Sequence, residues 1–176
     1  MATDQTPLQI AKLAGVSGEA MPLIRDDLQP PQCVEALTKA GLYVDAIRFA
    51  AFTKDGPGAV TWGCAVLRAL APPGQDMNKD TSLTTSEAWL KAPEDANRRA
   101  AKQAADDAGL SRPSDLIALG VFFSGGSITD ADAPPTEAPP NIYNKLIAEA
   151  VQLAVVMHAP EQQQERFKKA IALSQA

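Results

Sequence analysis

The stretch from Trp89 to Gly109, WLKAPEDANRRAAKQAADDAG, leaves the backbone little choice but to coil. Pro93 suits a first helical position, and Glu94 and Asp95 follow where the positive end of a helix dipole favours acids. Gly109 ends the run, because glycine enters the left-handed conformation freely. The sequence predicts one punctuated helix here, dividing the chain into two helical halves. Along it Ala96, Ala100, Ala104 and Ala108 recur at every fourth residue, a strip of small side chains that lets a neighbouring helix approach closely.

The same punctuation recurs along the chain. Pro7 to Ala14 has helical spacing and ends at Gly15, and the same segment could equally serve as a docking arm. After Gln29-Pro30-Pro31, Val34, Leu37 and Ala40 share a face up to Gly41. Tyr43, Val44, Ile47, Ala50 and Ala51 then form an apolar stripe with Asp45 and Arg48 opposite, which predicts an antiparallel hairpin with the preceding helix. Ala59 to Leu70 is apolar nearly all round and is predicted to be the central core helix, with Gly63 beside Trp62 permitting close backbone approach. Ser82 or Thr84 is expected to cap a helix carrying Trp89. Leu116 to Phe123 fits helix or strand by pattern, and helix is chosen because a lone strand would leave its backbone groups without partners. From Asn141, the side chains of Ile142, Leu146, Ala150, Leu153 and Met157 are predicted to face inward. A last helix opens at Pro160, with Phe167, Ile171 and Leu173 buried.

A chain of 176 residues suits one domain and buries an adequate core without staples. Its abundant alanine favours helix. The expectation is an all-α, single-domain irregular helical bundle of about seven to nine helices. Residues 1–29 form an N-terminal segment with short helices and residues 30–176 the helical domain. A crossing at 130–140 contains four prolines. The formal net charge of −5 supplies no basic field, so nucleic acid is not an expected partner. The N-terminus, Met1 to Thr6, lacks the charge and apolar run of a secretory signal, and no apolar run is long enough for a membrane span. A cytoplasmic protein without membrane contact is expected. Cys33 and Cys64 read as two buried thiols of a reducing compartment, with a disulfide between them as the alternative.

Chemistry is sparse. A nucleophilic triad needs a histidine, and the single one, His158, sits where it interacts favourably with a helix C-terminus. One histidine and two scattered cysteines give no metal-ligand spacing. Ser124-Gly125-Gly126-Ser127 has the composition of an anion-binding nest, but no Gly-Lys-Ser/Thr follows, and a helix-ending turn explains it. Arg98 and Arg99 are placed to pair with Glu94 or Asp95. Trp62 is assigned to the core, while Trp89 suits core or interface equally. No catalytic residue, metal ligand or cofactor is expected.

Asp45-Ala46-Ile47 with Ala59-Val60-Thr61-Trp62-Gly63-Cys64, then Trp89, Pro93 and Arg98 to Ala101, then Val121 to Ser127 followed by prolines, form a composite pattern. It resembles an uncharacterised bacterial family of small helical proteins found alongside type VI secretion components and effector chaperones. The resemblance runs from Pro31 to Leu173 and implies a setting rather than a reaction. The expected function is a non-enzymatic protein-binding adaptor or co-chaperone of a secretion effector module. Its predicted partner surface is Trp89, Arg98, Arg99, Phe122, Phe123, Ser124, Gly125, Gly126 and Ser127. Two alternatives remain open: a small-ligand or anion-binding enzyme with a pocket near Arg98 and Arg99, and a structural subunit that homo-oligomerises through an alanine-rich face.

Overall fold

Asp55 accepts a hydrogen bond from the Gly58 amide at 2.8 Å, and from that cap the apolar run folds as one helix, Gly56–Leu70. In order along the computed structural model, which describes residues 5–130 and 132–176, the α-helices are α1 (Pro7–Ala14), α2 (Pro30–Lys39), α3 (Tyr43–Phe52), α4 (Gly56–Leu70), α5 (Thr81–Lys91), α6 (Asp95–Asp107), α7 (Pro113–Phe123), α8 (Ile142–Val156) and α9 (Gln163–Leu173). Residues 1–4, the head of the segment predicted to lack a secretory signal, and Ala131 in the crossing lie outside the described residues. The fold is an all-α bundle, with nine α-helices and no strand among the described residues. None of these helices is long and apolar enough to cross a membrane.

The core is built where α4, α7 and α8 meet. Ile147 of α8 is fully buried and lies between two glycines: a Cβ on Gly120 of α7 would stand 2.9 Å from its Cδ1, and one on Gly63 of α4 3.5 Å from its Cγ2. Ile117 closes the same contact at 3.0 Å from the Gly63 position. Absent side chains thus set the spacing of three helices, since close-packed interiors leave no slack for an added methyl.

Helix α9 bolts onto α4 through polar bonds over the apolar contact of Phe167 and Ile171. The Trp62 indole N–H donates to the Ala170 carbonyl at 2.9 Å, Lys169 to Ala69 at 2.7 Å, and Lys54, just ahead of α4, to Ser174 at 2.8 Å. Arg166 donates to Ala154 and Val155 at the end of α8, at 2.7 and 2.9 Å, and to Leu70 at the end of α4, at 3.2 Å. One guanidinium thereby satisfies orphan carbonyls of two helices. His158, predicted for that position, is exposed and makes no hydrogen bond among the described residues.

Several expectations require correction. The 89–109 stretch is two helices: Trp89 belongs to α5, Pro93 lies in the break, and Glu94 precedes the first turn of α6. Gly109 does end α6, at φ +81°. The inward strip of α6 is Arg98, Ala101, Ala104 and Ala105, while Ala96 and Ala100 are exposed. A strict four-residue spacing drifts about 40° per step around a 3.6-residue helix, so it cannot stay on one face. Asp80, not Ser82 or Thr84, caps α5. Asp45 is buried rather than solvated, because its carboxylate accepts the Ser17 amide at 2.7 Å and the Ser17 hydroxyl at 2.9 Å. In α8 the buried face is Asn144, Ile147, Ala148, Val151, Ala154 and Val155 together with Ala150, whereas Met157 is exposed. Asn144 faces inward because it donates to the Ala51 and Lys54 carbonyls at the end of α3, at 2.8 and 3.2 Å. Both cysteines are free and buried.

Candidate functional site

The i, i+3 and i, i+4 spacing of Asp95, Arg98 and Arg99 puts all three on neighbouring positions of the first turns of α6. Asp95 accepts from Arg98 Nη2 and Nε at 2.5 and 2.9 Å and from Arg99 Nε at 2.7 Å. The two arginines together hold this carboxyl below the usual carboxylate range. What remains of each guanidinium grips the last turn of α7 and the backbone that follows it. Arg98 Nη1 donates to the Phe122 carbonyl at 2.6 Å and Nη2 to Ser127 at 2.7 Å, while Arg99 reaches the Thr129 carbonyl at 2.9 Å.

Phe122 is buried beneath this clasp, with the Arg98 guanidinium 4.7 Å from its ring centroid and Phe123 edge-on at 5.2 Å. Gly126, at φ +69°, turns the chain directly against the guanidinium, where a Cβ would come within 3.2 Å of Arg98 Nη2. Only glycine meets both demands. Downstream, the Ser127 hydroxyl accepts the Thr136 amide at 3.1 Å and Ile128 donates to the Thr136 carbonyl at 2.8 Å. These bonds fold the proline crossing back beside the turn, in an isolated antiparallel bridge between Ser127 and Glu137.

The turn and the crossing enclose an open groove of about 470 Å³. Phe123, Tyr143, Pro135, Pro139 and Pro140 give it apolar walls, and Ser124 to Ser127 form one side. Of the predicted partner-binding residues, Phe123, Ser124, Gly125, Gly126 and Ser127 line the groove. Arg98, Arg99 and Phe122 stand behind it and fix its shape. Trp89 takes no part: it is 6% exposed and packs in the main core. His158 is elsewhere, lining a depression with Arg166 and Lys169.

Sequence reasoning missed a second, buried polar cluster. Asp80 caps α5 and accepts the Ser114 hydroxyl at 2.7 Å, and Asp115 in the first turn of α7 accepts the Ser82 hydroxyl of α5 at 2.7 Å. The two helix starts hold each other reciprocally. Arg112 lies between them, donating to Asp115 at 2.8 Å and to the Ser82 hydroxyl at 3.3 Å. Burial pushes the Asp115 carboxyl up, but the bonds from Arg112, Ser82 and the backbone outweigh it and hold it below its ordinary value. The local signals were present in Asp80-Thr81-Ser82 and Arg112-Pro113-Ser114-Asp115, both helix-start compositions. Their pairing over more than thirty residues was not. Among the described residues no group of three or more His, Cys, Asp or Glu side chains is arranged to hold a metal ion.

Comparison with curated proteins gives no match, and comparison with solved structures gives none either. A protein-family model, described as a family of unknown function, DUF6931, matches residues 33–175. That span carries α3 to α9 whole, the arginine clasp, the groove and the reciprocal caps. The chain belongs to the DUF6931 family.

Proposed function

We propose that this protein is a non-enzymatic binding module, an adaptor or co-chaperone working in the cytoplasm, which engages a protein partner through the groove between the Ser124–Ser127 turn and the proline crossing. The observation that carries the reading is the clasp. Arg98 and Arg99 bond to three carbonyls at the end of α7 and along the turn that follows it, so one side of the groove is fixed before anything enters it. Pre-ordered walls of proline and aromatic side chains lose little conformational freedom on binding, which favours association. The groove presents apolar surface beside glycine backbone, a combination suited to an extended segment of another chain. The type VI secretion setting rests on the resemblance of the Trp62, Arg98–Ala101 and Val121–Ser127 segments, and the partner in that setting is a secretion effector or its chaperone.

The test is recovery of the tagged chain from its native cell under mild conditions, beside a Phe123→Glu variant whose melting temperature shows that it is folded. A secretion component or effector should be enriched on the unaltered chain by about thirtyfold over the variant, the effect of losing one interfacial hot spot of about 2 kcal/mol. Equal recovery on both, or no such partner on either, would refute the reading.

A further inference from the structure

A second concavity shares no lining residue with the groove. It is a cavity of about 120 Å³ between the end of α4, the start of α7 and the last turns of α8. Leu67, Leu70 and Ala154 form an apolar floor, each more than nine-tenths buried. Met77 and Met157 flank the mouth, and their flexible thioethers adapt to different shapes. The opposite wall is polar and belongs to the reciprocal caps, with Asp80, Ser114 and Arg112.

The donors of Arg112 are unevenly used. Nε and Nη2 are committed to Asp115 and the Ser82 hydroxyl. Nη1 makes no hydrogen bond among the described residues, and Asp80 Oδ2 lies 3.5 Å from it as an ion pair. Arg112 lines the cavity, and Nη1, with two hydrogens and only that long ion-pair partner, keeps a hydrogen for an incoming acceptor. We propose that the cavity binds a compact uncharged molecule, apolar over most of its surface, whose single carbonyl or hydroxyl oxygen accepts from Arg112 Nη1.

Charge selects against a carboxylate. Asp80 on the wall and Asp115 buried behind it share one arginine, so this cluster carries an excess negative charge, with His158 the remaining ionisable group on the lining, and a neutral acceptor takes the spare hydrogen without adding to that charge. Size selects a single ring or short branched chain, since the volume is a little below the ~150 Å³ of a closed cavity that accommodates benzene, and the open side leaves room for a short substituent.

The experiment is a chemical-shift titration of the full ¹⁵N-labelled chain with acetophenone, and with ethylbenzene as the partner lacking an acceptor. Acetophenone should saturate with a dissociation constant of about 1 mM, with shifts confined to residues 67–77, 112–114 and 154–158. Ethylbenzene should bind about tenfold more weakly, the worth of one hydrogen bond from a charged donor. Ala154→Leu, which fills the floor, should abolish the response. Failure to saturate, shifts scattered over the surface, equal binding of the two probes, or undiminished binding to a folded Ala154→Leu would each overturn the proposal. If that variant does not fold, the two probes on the unaltered chain decide alone.

Discussion

Arg166 shows how much one side chain can settle. It is the shared cap of α4 and α8, and its three bonds go to carbonyls that no helical amide can reach. Arg166→Ala should lower unfolding stability by about 2–3 kcal/mol in urea titrations, because charged-donor bonds are lost and the carbonyls are left poorly paired. Arg166→Lys should recover only part of that, since one ammonium cannot reproduce a planar fork. Asp115 makes a second case, readable in pH. Its folded pKa is held below the unfolded value of about 3.9, so its contribution is present above that value and is lost as pH falls through the lower folded one. Asp115→Asn should therefore be clearly less stable than the parent at neutral pH, and chemical denaturation should show the difference shrinking as pH falls below the unfolded value of about 3.9. A constant difference across that range would show that the carboxylate charge contributes nothing.

Among elements, the α4–α7–α8 contact is governed by what Gly63 and Gly120 lack. Gly120→Ala gains up to about 1 kcal/mol of helix propensity but pushes a methyl into Ile147, a clash worth about 1–3 kcal/mol. The net should be destabilising. Shortening the obstacle should reverse part of it, so Gly120→Ala with Ile147→Val should be more stable than the sum of the two single changes, by a thermal double-mutant cycle. Helices were legible in the sequence wherever proline and glycine punctuate it, which places α1, α2, α4 and α7. Their faces were less so. In α8, apolar residues surround the helix, and the inward Asn144 is explained only by carbonyls of α3, far away in sequence. Asp45 deceived for the same reason, because its partner Ser17 lies on another segment. At the site, the local Asp95–Arg98–Arg99 pairing could be read from helical spacing. The grip of both arginines on the end of α7 and the backbone after it, and the bridging of α5 and α7 by Arg112, depend on tertiary contact that no local pattern encodes.

For the molecule as a whole, the two thiols report on cooperativity. Burial pushes Cys64 up to about 12 and raises Cys33 as well, so neither supplies thiolate in the folded state near neutral pH. Both should resist alkylation until urea unfolds the chain, and then react together, with labelling followed by intact mass. Reaction of Cys33 alone at low urea would reveal that α2 opens independently. The bolts between α4 and α9 carry a further consequence. Residues 54–70 are completed by bonds with Arg166, Lys169, Ala170 and Ser174, about a hundred residues on, the first two donating and the last two accepting. At about 5–20 residues per second, a ribosome needs roughly 5–20 s to deliver that closing segment. During the interval the side of α4 that α9 covers, with Trp62, waits without its closing partners, so nascent chains arrested before residue 166 should be more prone to capture by nascent-chain holdases than those released after residue 174.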